Sequence, residues 1–165
     1  MTIPSSLRNK LSKAAEEYYE VYKTDRKSKL FYELGFDSFG MDCIGNGVGR
    51  NVFDMEIIRH PNLAVKMAIP HSKYDGKDQN KQEYELWNSI PESKREYLVP
   101  VKDIGKNNYW LIMKLGNTPT QSIYSWKNEA EYQLQEYVWE EDIKKENIVE
   151  LNGELKLCDY GVKTA

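Results

Sequence analysis

The chain is short of the features that mark special chemistry or special surroundings. It has two cysteines in 165 residues. Cys43 and Cys158 stand far apart, without a paired metal-ligand pattern such as C-x-x-C, and both are expected to stay reduced in a cytosolic compartment. No run approaches the roughly 18–20 apolar residues that a membrane span needs, and the amino terminus has no apolar signal core. A cytoplasmic protein with no membrane partner is the expectation. Excess positive charge is missing as well. Lys and Arg number 23 against 26 Asp and Glu, a formal charge of −3. Binding to phosphate backbones needs a concentrated basic face, so no nucleic-acid partner is expected. There are no internal repeats and no low-complexity tracts. What is present, 40% hydrophobic and 30% charged residues, suits one folded domain with a real core.

Periodicity divides the chain. Residues 5–34 read as helical: Ser5 or Ser6 can cap, and Leu7, Leu11, Ala15, Tyr18 and Tyr22 form one stripe. The charged run 25–29 can break this helix before Leu30, Phe31 and Leu34, and Gly35 is a stop signal. From 39 to 69 short β-like runs alternate with turn residues. They predict a three-stranded antiparallel meander whose later strands cover 51–58 and 63–69. Residues 79–90 return to helical spacing, with Tyr84, Trp87 and Ile90 on one side. Two more strands are expected at 98–101 and 109–113. Further on, Asn128 and Glu131 offer a capping box, followed by a stripe of Ala130, Leu134, Tyr137 and Val138. Asn152-Gly153 is the strongest hairpin signal in the chain.

Three motifs carry the chemistry. In the first, Gly45, Gly47 and Gly49 open a turn before Val52, where the absence of Cβ atoms lets backbone N–H groups approach phosphates. In the second, Ala64-Val65-Lys66 lies in the third strand of the meander, and Glu83 follows with apolar residues three, four and seven places on. Glu85 competes with Glu83 but lacks that register. In the third, Asp142, Lys144 and Asn147 share one loop, and Asp159-Tyr160-Gly161 lies beyond the hairpin.

These motifs resemble those of the protein kinase superfamily: G-x-G-x-x-G-x-V, V-A-I-K with its helix glutamate, D-x-K-x-x-N and D-F-G. The resemblance covers residues 40–161. It implies an α+β fold: a kinase-like amino-terminal lobe with a five-stranded antiparallel sheet and one helix, and a reduced carboxy-terminal lobe of one helix and a β-hairpin. Residues 1–36 form a helical extension and 37–165 the minimal kinase-like domain. By resemblance, Gly45, Gly47, Gly49, Val52, Lys66, Glu83 and Met113 bind ATP. Asp142 is the base or orienter of the hydroxyl nucleophile, Lys144 stabilises charge on the γ-phosphate, and Asn147 and Asp159 hold Mg²⁺. Phosphoryl transfer asks for positioning and charge neutralisation, which a cation, two oxygen ligands and an acceptor supply.

The sequence also departs from the family. Arg50 stands at the third glycine, implying a looser turn in which Arg50 can touch phosphates, and Glu140-Glu141 replaces His-Arg before Asp142. The chain stops at Ala165, where the family continues into an activation segment and a peptide-binding lobe. Two readings follow. One is a minimal serine/threonine-kinase-like phosphotransferase acting on an unknown protein or small-molecule acceptor. The other is a pseudokinase scaffold in which nucleotide binding is optional. Another chain or a second copy can supply the missing lobe. Such economy is similar to that of kinase-like proteins carried by viruses and phages, which would place the protein in a host cytoplasm.

Overall fold

The computed structural model describes residues 3–24 and 41–163. The expectations for Leu30, Phe31, Leu34 and Gly35 lie outside the described residues. The first helix, α1, runs Ser5–Thr24. Strands β1 (Cys43–Asn46), β2 (Arg50–Asp54) and β3 (Leu63–Ala68) precede helix α2 (Gly76–Ser89) and the one-turn helix α3 (Glu92–Arg95). Then come β4 (Val101–Ile104), β5 (Trp110–Lys114), helix α4 (Tyr124–Gln133) and strands β6 (Ile148–Leu151) and β7 (Glu154–Leu157). The fold is α+β: an antiparallel five-stranded sheet in the order β1-β2-β3-β5-β4, and a separate β6-β7 hairpin. Among the described residues, no helix is long and apolar enough to cross a membrane.

Strand alternation gives the large sheet two different faces. One carries Phe53, Val65, Met67, Trp110 and Ile112, which pack with Leu11, Ala15, Tyr18 and Tyr22 of α1 in one cluster. The helix is tied by polar contacts too. Buried Asn51 donates to the Tyr18 and Tyr22 hydroxyls at 2.6 and 3.1 Å, and Trp110 Nε1 donates to Ser12 Oγ at 3.0 Å. The opposite face contributes Leu111 and Met113 to a second cluster. That cluster takes in Leu86 and Ile90 of α2, Ala130 and Leu134, and Leu155 and Leu157 of the hairpin. The hairpin is therefore not a separate body. Val99 N donates to Leu157 O at 2.9 Å, Leu157 N to Tyr97 O at 2.8 Å, and Asn117 and Glu150 bridge.

Local differences from the sequence expectations have local causes. Residues 56–58 form a 3₁₀ turn rather than the end of β2, closed by Arg59 at a φ of 66°. The fourth strand starts at Val101, because Val99 is already committed to the hairpin. Helix α4 begins at Tyr124, so Asn128 lies inside it and not at its cap. Tyr84, read on one side of the helix with Trp87 and Ile90, is exposed; the buried residues of α2 are Gly76, Asn80, Glu83 and Leu86. The hairpin turn matches its signal: Asn152 and Gly153 have φ of 53° and 81°, the paired positive values that a type I′ turn requires.

Where α2 begins, it meets the glycine-rich turn with no room to spare. A Cβ on Gly76 would stand 1.9 Å from Gly49 O and 2.7 Å from Ala68 Cα, and one on Gly49 would stand 2.0 Å from Tyr74 O. Backbone cannot yield as a side-chain tip can. Gly76→Ala should therefore destabilise the protein by about 1–3 kcal/mol, the usual range for overpacking. Its urea midpoint would fall at an unchanged slope. A wild-type midpoint would mean that the turn and α2 part without cost.

Candidate functional site

A cleft of about 1240 Å³ opens between the large sheet and the hairpin. Gly45, Gly47, Gly49, Val52, Lys66 and Met113 line it from the sheet side, and Asp142, Asn147, Ile148 and Asp159 from the other. Nine of the sequence-derived candidates thus share one cavity. Two do not line it: Glu83, which lies behind Lys66, and Lys144, which is exposed.

Strand pairing sets Lys66 opposite Val52 and Leu111 in the middle of the sheet. Its Nζ meets Glu83 Oε2 at 3.1 Å and Oε1 at 3.3 Å, donates to Cys158 O at 2.7 Å, and lies 4.0 Å from Asp159 Oδ1. Glu83 is 1% exposed. Its competitor in the sequence, Glu85, is exposed and sits 3.9 Å from Lys81. The apolar register after Glu83 distinguished the inward carboxylate from the outward one.

Arg50 behaves differently from the sequence expectation. It lines the cleft but is only 5% exposed, its guanidinium directed inward to protein acceptors. Nη1 donates to Glu83 Oε2 at 2.8 Å and Asn80 Oδ1 at 3.2 Å, while Nη2 donates to Glu83 Oε1 and Asp159 Oδ1, each at 2.7 Å. Two cations and two carboxylates therefore form one network of zero net charge. Burial opposes the Arg50 charge, but Glu83 and Asp159 outweigh it and hold the guanidinium pKa above its ordinary value. Burial would raise Asp159, yet Lys66 and Arg50 prevail and keep it well below the usual carboxylate range. Nothing in the sequence pattern signalled this inward turn. It depends on α2 and the segment after β7 converging on the first residue of β2.

The far wall is built from short turns. Asn147 closes a 3₁₀ turn, Lys145–Asn147. Its Nδ2 donates to Asp142 O at 2.9 Å, and its carbonyl accepts from Cys158 N at 2.8 Å. The β6-β7 hairpin thus returns Cys158 and Asp159 to Asn147, as the Asn152-Gly153 signal implied. Asp142 rests on Gly161: a Cβ there would fall 1.7 Å from Asp142 Oδ2. Trp139 N donates to Gly161 O at 2.7 Å, and Val138 pairs with Val162. Burial raises the Asp142 pKa and the Asp159 charge raises it further, while Lys144 lowers it. Lys144 also lowers Asp159. Glu140 and Glu141, where the resemblance expects a packed histidine and an arginine, are both exposed. The buried neighbours in that stretch are Val138 and Ile143.

Tyr160 is a further part of the site. It is 3% exposed; its N–H donates to Glu83 Oε1 at 3.2 Å and its hydroxyl to Val99 O. The hydroxyl therefore has a partner in a position the resemblance gives to phenylalanine. Burial pushes the neighbouring Cys158 thiol up to about 11, which keeps it protonated and unreactive at neutral pH. Among the described residues there is no group of three or more His, Cys, Asp or Glu side chains that could hold a metal. The donors for a hard cation are the half-exposed Asp159 carboxylate and the Asn147 amide oxygen, its amide nitrogen being already committed.

Chemically, the cleft presents a shielded lysine, two acids held in different protonation tendencies, and an amide beside one of them. No protein-family model matches the chain, and no curated protein matches its sequence.

Proposed function

We propose that the chain binds a magnesium–nucleoside triphosphate, ATP by resemblance, in this cleft and transfers its terminal phosphoryl group to a hydroxyl, as a minimal serine/threonine-kinase-like enzyme. The observation that carries the reading is the buried Lys66–Glu83 pair, with Asp159 4.0 Å from Lys66 Nζ and Asp142 and Asn147 lining the same cavity. An isolated lysine on a strand is usually a solvated charge. One fixed by a buried glutamate at the head of a cleft is a preorganised site for anionic oxygens.

In this reading each residue has one task. Val52, Ala64, Met113 and Ile148 give the base an apolar slot. The Gly45–Gly47 backbone covers the phosphates, and Lys66 holds them. Asp159 and Asn147 supply oxygen ligands of the kind Mg²⁺ prefers. When bound, the metal would neutralise phosphate charge. Asp142 orients the acceptor hydroxyl and takes its proton, and Lys144 offsets charge on the moving group. The α+β architecture, with five antiparallel strands, one helix behind Lys66 and a hairpin across the cleft, is compatible with a kinase-like domain.

A second reading, a pseudokinase scaffold, is favoured by one observation: Arg50 already holds Asp159 Oδ1 at 2.7 Å. Thermal melting with millimolar Mg-ATP tests the nucleotide site on which the first reading depends, and transfer of label from ATP then separates the two. A ligand at one hundred times its dissociation constant stabilises the fold by about 2.7 kcal/mol, a rise of roughly 5–10 °C for a protein of this size. The phosphotransferase reading expects that rise in wild type, its dependence on magnesium, and its loss in Lys66→Ala and Asp159→Ala. An unmoved wild-type melt would leave the scaffold reading.

A further inference from the structure

Among the described residues, Arg50 is the one buried charged side chain at the cleft to which phosphoryl transfer gives no task. Its guanidinium carries two hydrogens on each η nitrogen. All four are directed to protein acceptors: Asn80, both oxygens of Glu83, and Asp159. With 5% of the residue exposed, no η hydrogen remains for a phosphate. Arg50 is thus a counter-ion built into the wall of the cleft.

Its placement has a definite electrostatic sign. The guanidinium bonds directly to Asp159, the acid that the phosphoryl-transfer reading makes a metal ligand. A divalent cation entering alone must either displace Nη2 from Asp159 Oδ1 or take the other oxygen beside an existing positive charge. Lys66, 4.0 Å from the same Oδ1, adds repulsion of the same sign. Both routes weaken metal binding, because like charges this close in a partly buried site are poorly screened. A triphosphate changes the balance, since its negative charges offset both cations.

Resting on the phosphoryl-transfer reading, we propose that Arg50 is a specificity-determining residue: the resident cation of Asp159, which keeps the empty cleft from binding free divalent metal and so makes metal entry depend on the nucleotide. Arg50 acts through Asp159 and touches neither substrate nor reacting atoms.

The test uses Mn²⁺ alone as the probe, without nucleotide, and follows free Mn²⁺ by electron paramagnetic resonance. Wild type, Arg50→Gln, Arg50→Met, Arg50→Lys and the double variant Arg50→Gln/Asp159→Asn are compared, each checked by melting. The two neutral variants are alternatives, because Met fills the volume without a buried polar end; Glu83 keeps Lys66 as partner in both. The expected result is Mn²⁺ binding at least about tenfold tighter in a folded neutral variant than in wild type. Arg50→Lys, which keeps the charge, should stay near wild type, and the gain should vanish with Asp159→Asn. Equal affinity in wild type and a folded neutral variant overturns the proposal. If Mg-ATP still raises the wild-type melting temperature, phosphoryl transfer survives that failure. No Mn²⁺ binding in any variant, together with an unmoved Mg-ATP melt, removes both.

Discussion

Replacing Glu83 by alanine is expected to lower folding stability by about 3–5 kcal/mol, the range for breaking a buried ion pair from one side. Glu83 accepts two hydrogen bonds from Arg50, two contacts from Lys66 and one from the Tyr160 N–H. Arg50 and Lys66 are 5% and 4% exposed. Without Glu83, the two desolvated cations keep the neutral acceptors Asn80 and Cys158 O, but their one remaining carboxylate is Asp159, whose side chain is 52% exposed and already shared between them. The lost attraction and the stranded charge act in the same direction. For a protein of this size the loss amounts to a fall in melting temperature of roughly 6–20 °C. Glu85→Ala is the matched control. Its carboxylate is exposed and its partner Lys81 lies 3.9 Å away, so a change within about 0.5 kcal/mol is expected. Urea titration of both variants measures the contrast. Similar small losses in both would mean that water or a rearranged Asp159 screens the two cations, and that the buried network contributes little.

The same contrast shows which parts of the fold the sequence made legible. Glu83 could be chosen over Glu85 because helical spacing is a local property, and Leu86 and Ile90 downstream are buried on the same side. Asn152-Gly153 was legible for a similar reason, since the turn is decided by the two residues that occupy it. Nine of the eleven candidate residues came together in one cleft because each motif fixes a strand or a tight loop, and antiparallel pairing then aligns them. Features decided by distant partners were not legible. Leu98 and Val99 look like a strand, yet Val99 bonds to Leu157 and the fourth strand begins at Val101. Asn128 and Glu131 make a capping box on paper, but Ile123 and Trp126 pack on the second core cluster and draw the helix start back to Tyr124. Asn51 gave no sign of pairing with Tyr18 and Tyr22, nor Arg50 of turning inward. Such contacts link residues far apart in the chain, and no short-range pattern encodes them.

Asp142→Asn should abolish phosphoryl transfer, by about 10²–10⁴-fold if Asp142 is the general base, and leave the protein at least as stable as wild type at neutral pH. Both effects have one cause. Burial, and then the Asp159 charge, raise the Asp142 pKa above its ordinary value near 3.9, with Lys144 opposing. A raised folded-state pKa means that folding favours the protonated acid. Ionised Asp142 therefore subtracts stability above that window, and the deficit disappears as pH falls through it. Asparagine is close to isosteric and never ionises, so it removes the deficit while keeping the side chain against Gly161, where no Cβ interferes. The variant should melt at or slightly above wild type at pH 7, and the two should converge below about pH 4. Transfer by wild type should fall on the acid side as Asp142 takes up its proton, whereas the residual rate of the variant should lack that limb. Mg-ATP should still raise the melting temperature of the variant, because Lys66, Asn147 and Asp159 are untouched. A base that is uncomfortable when ionised is better suited to accept a proton, so loss of rate with gain of stability is the pattern of a catalytic base. Loss of stability, rate and nucleotide binding together would instead identify Asp142 as a strut between the 3₁₀ turn and Gly161.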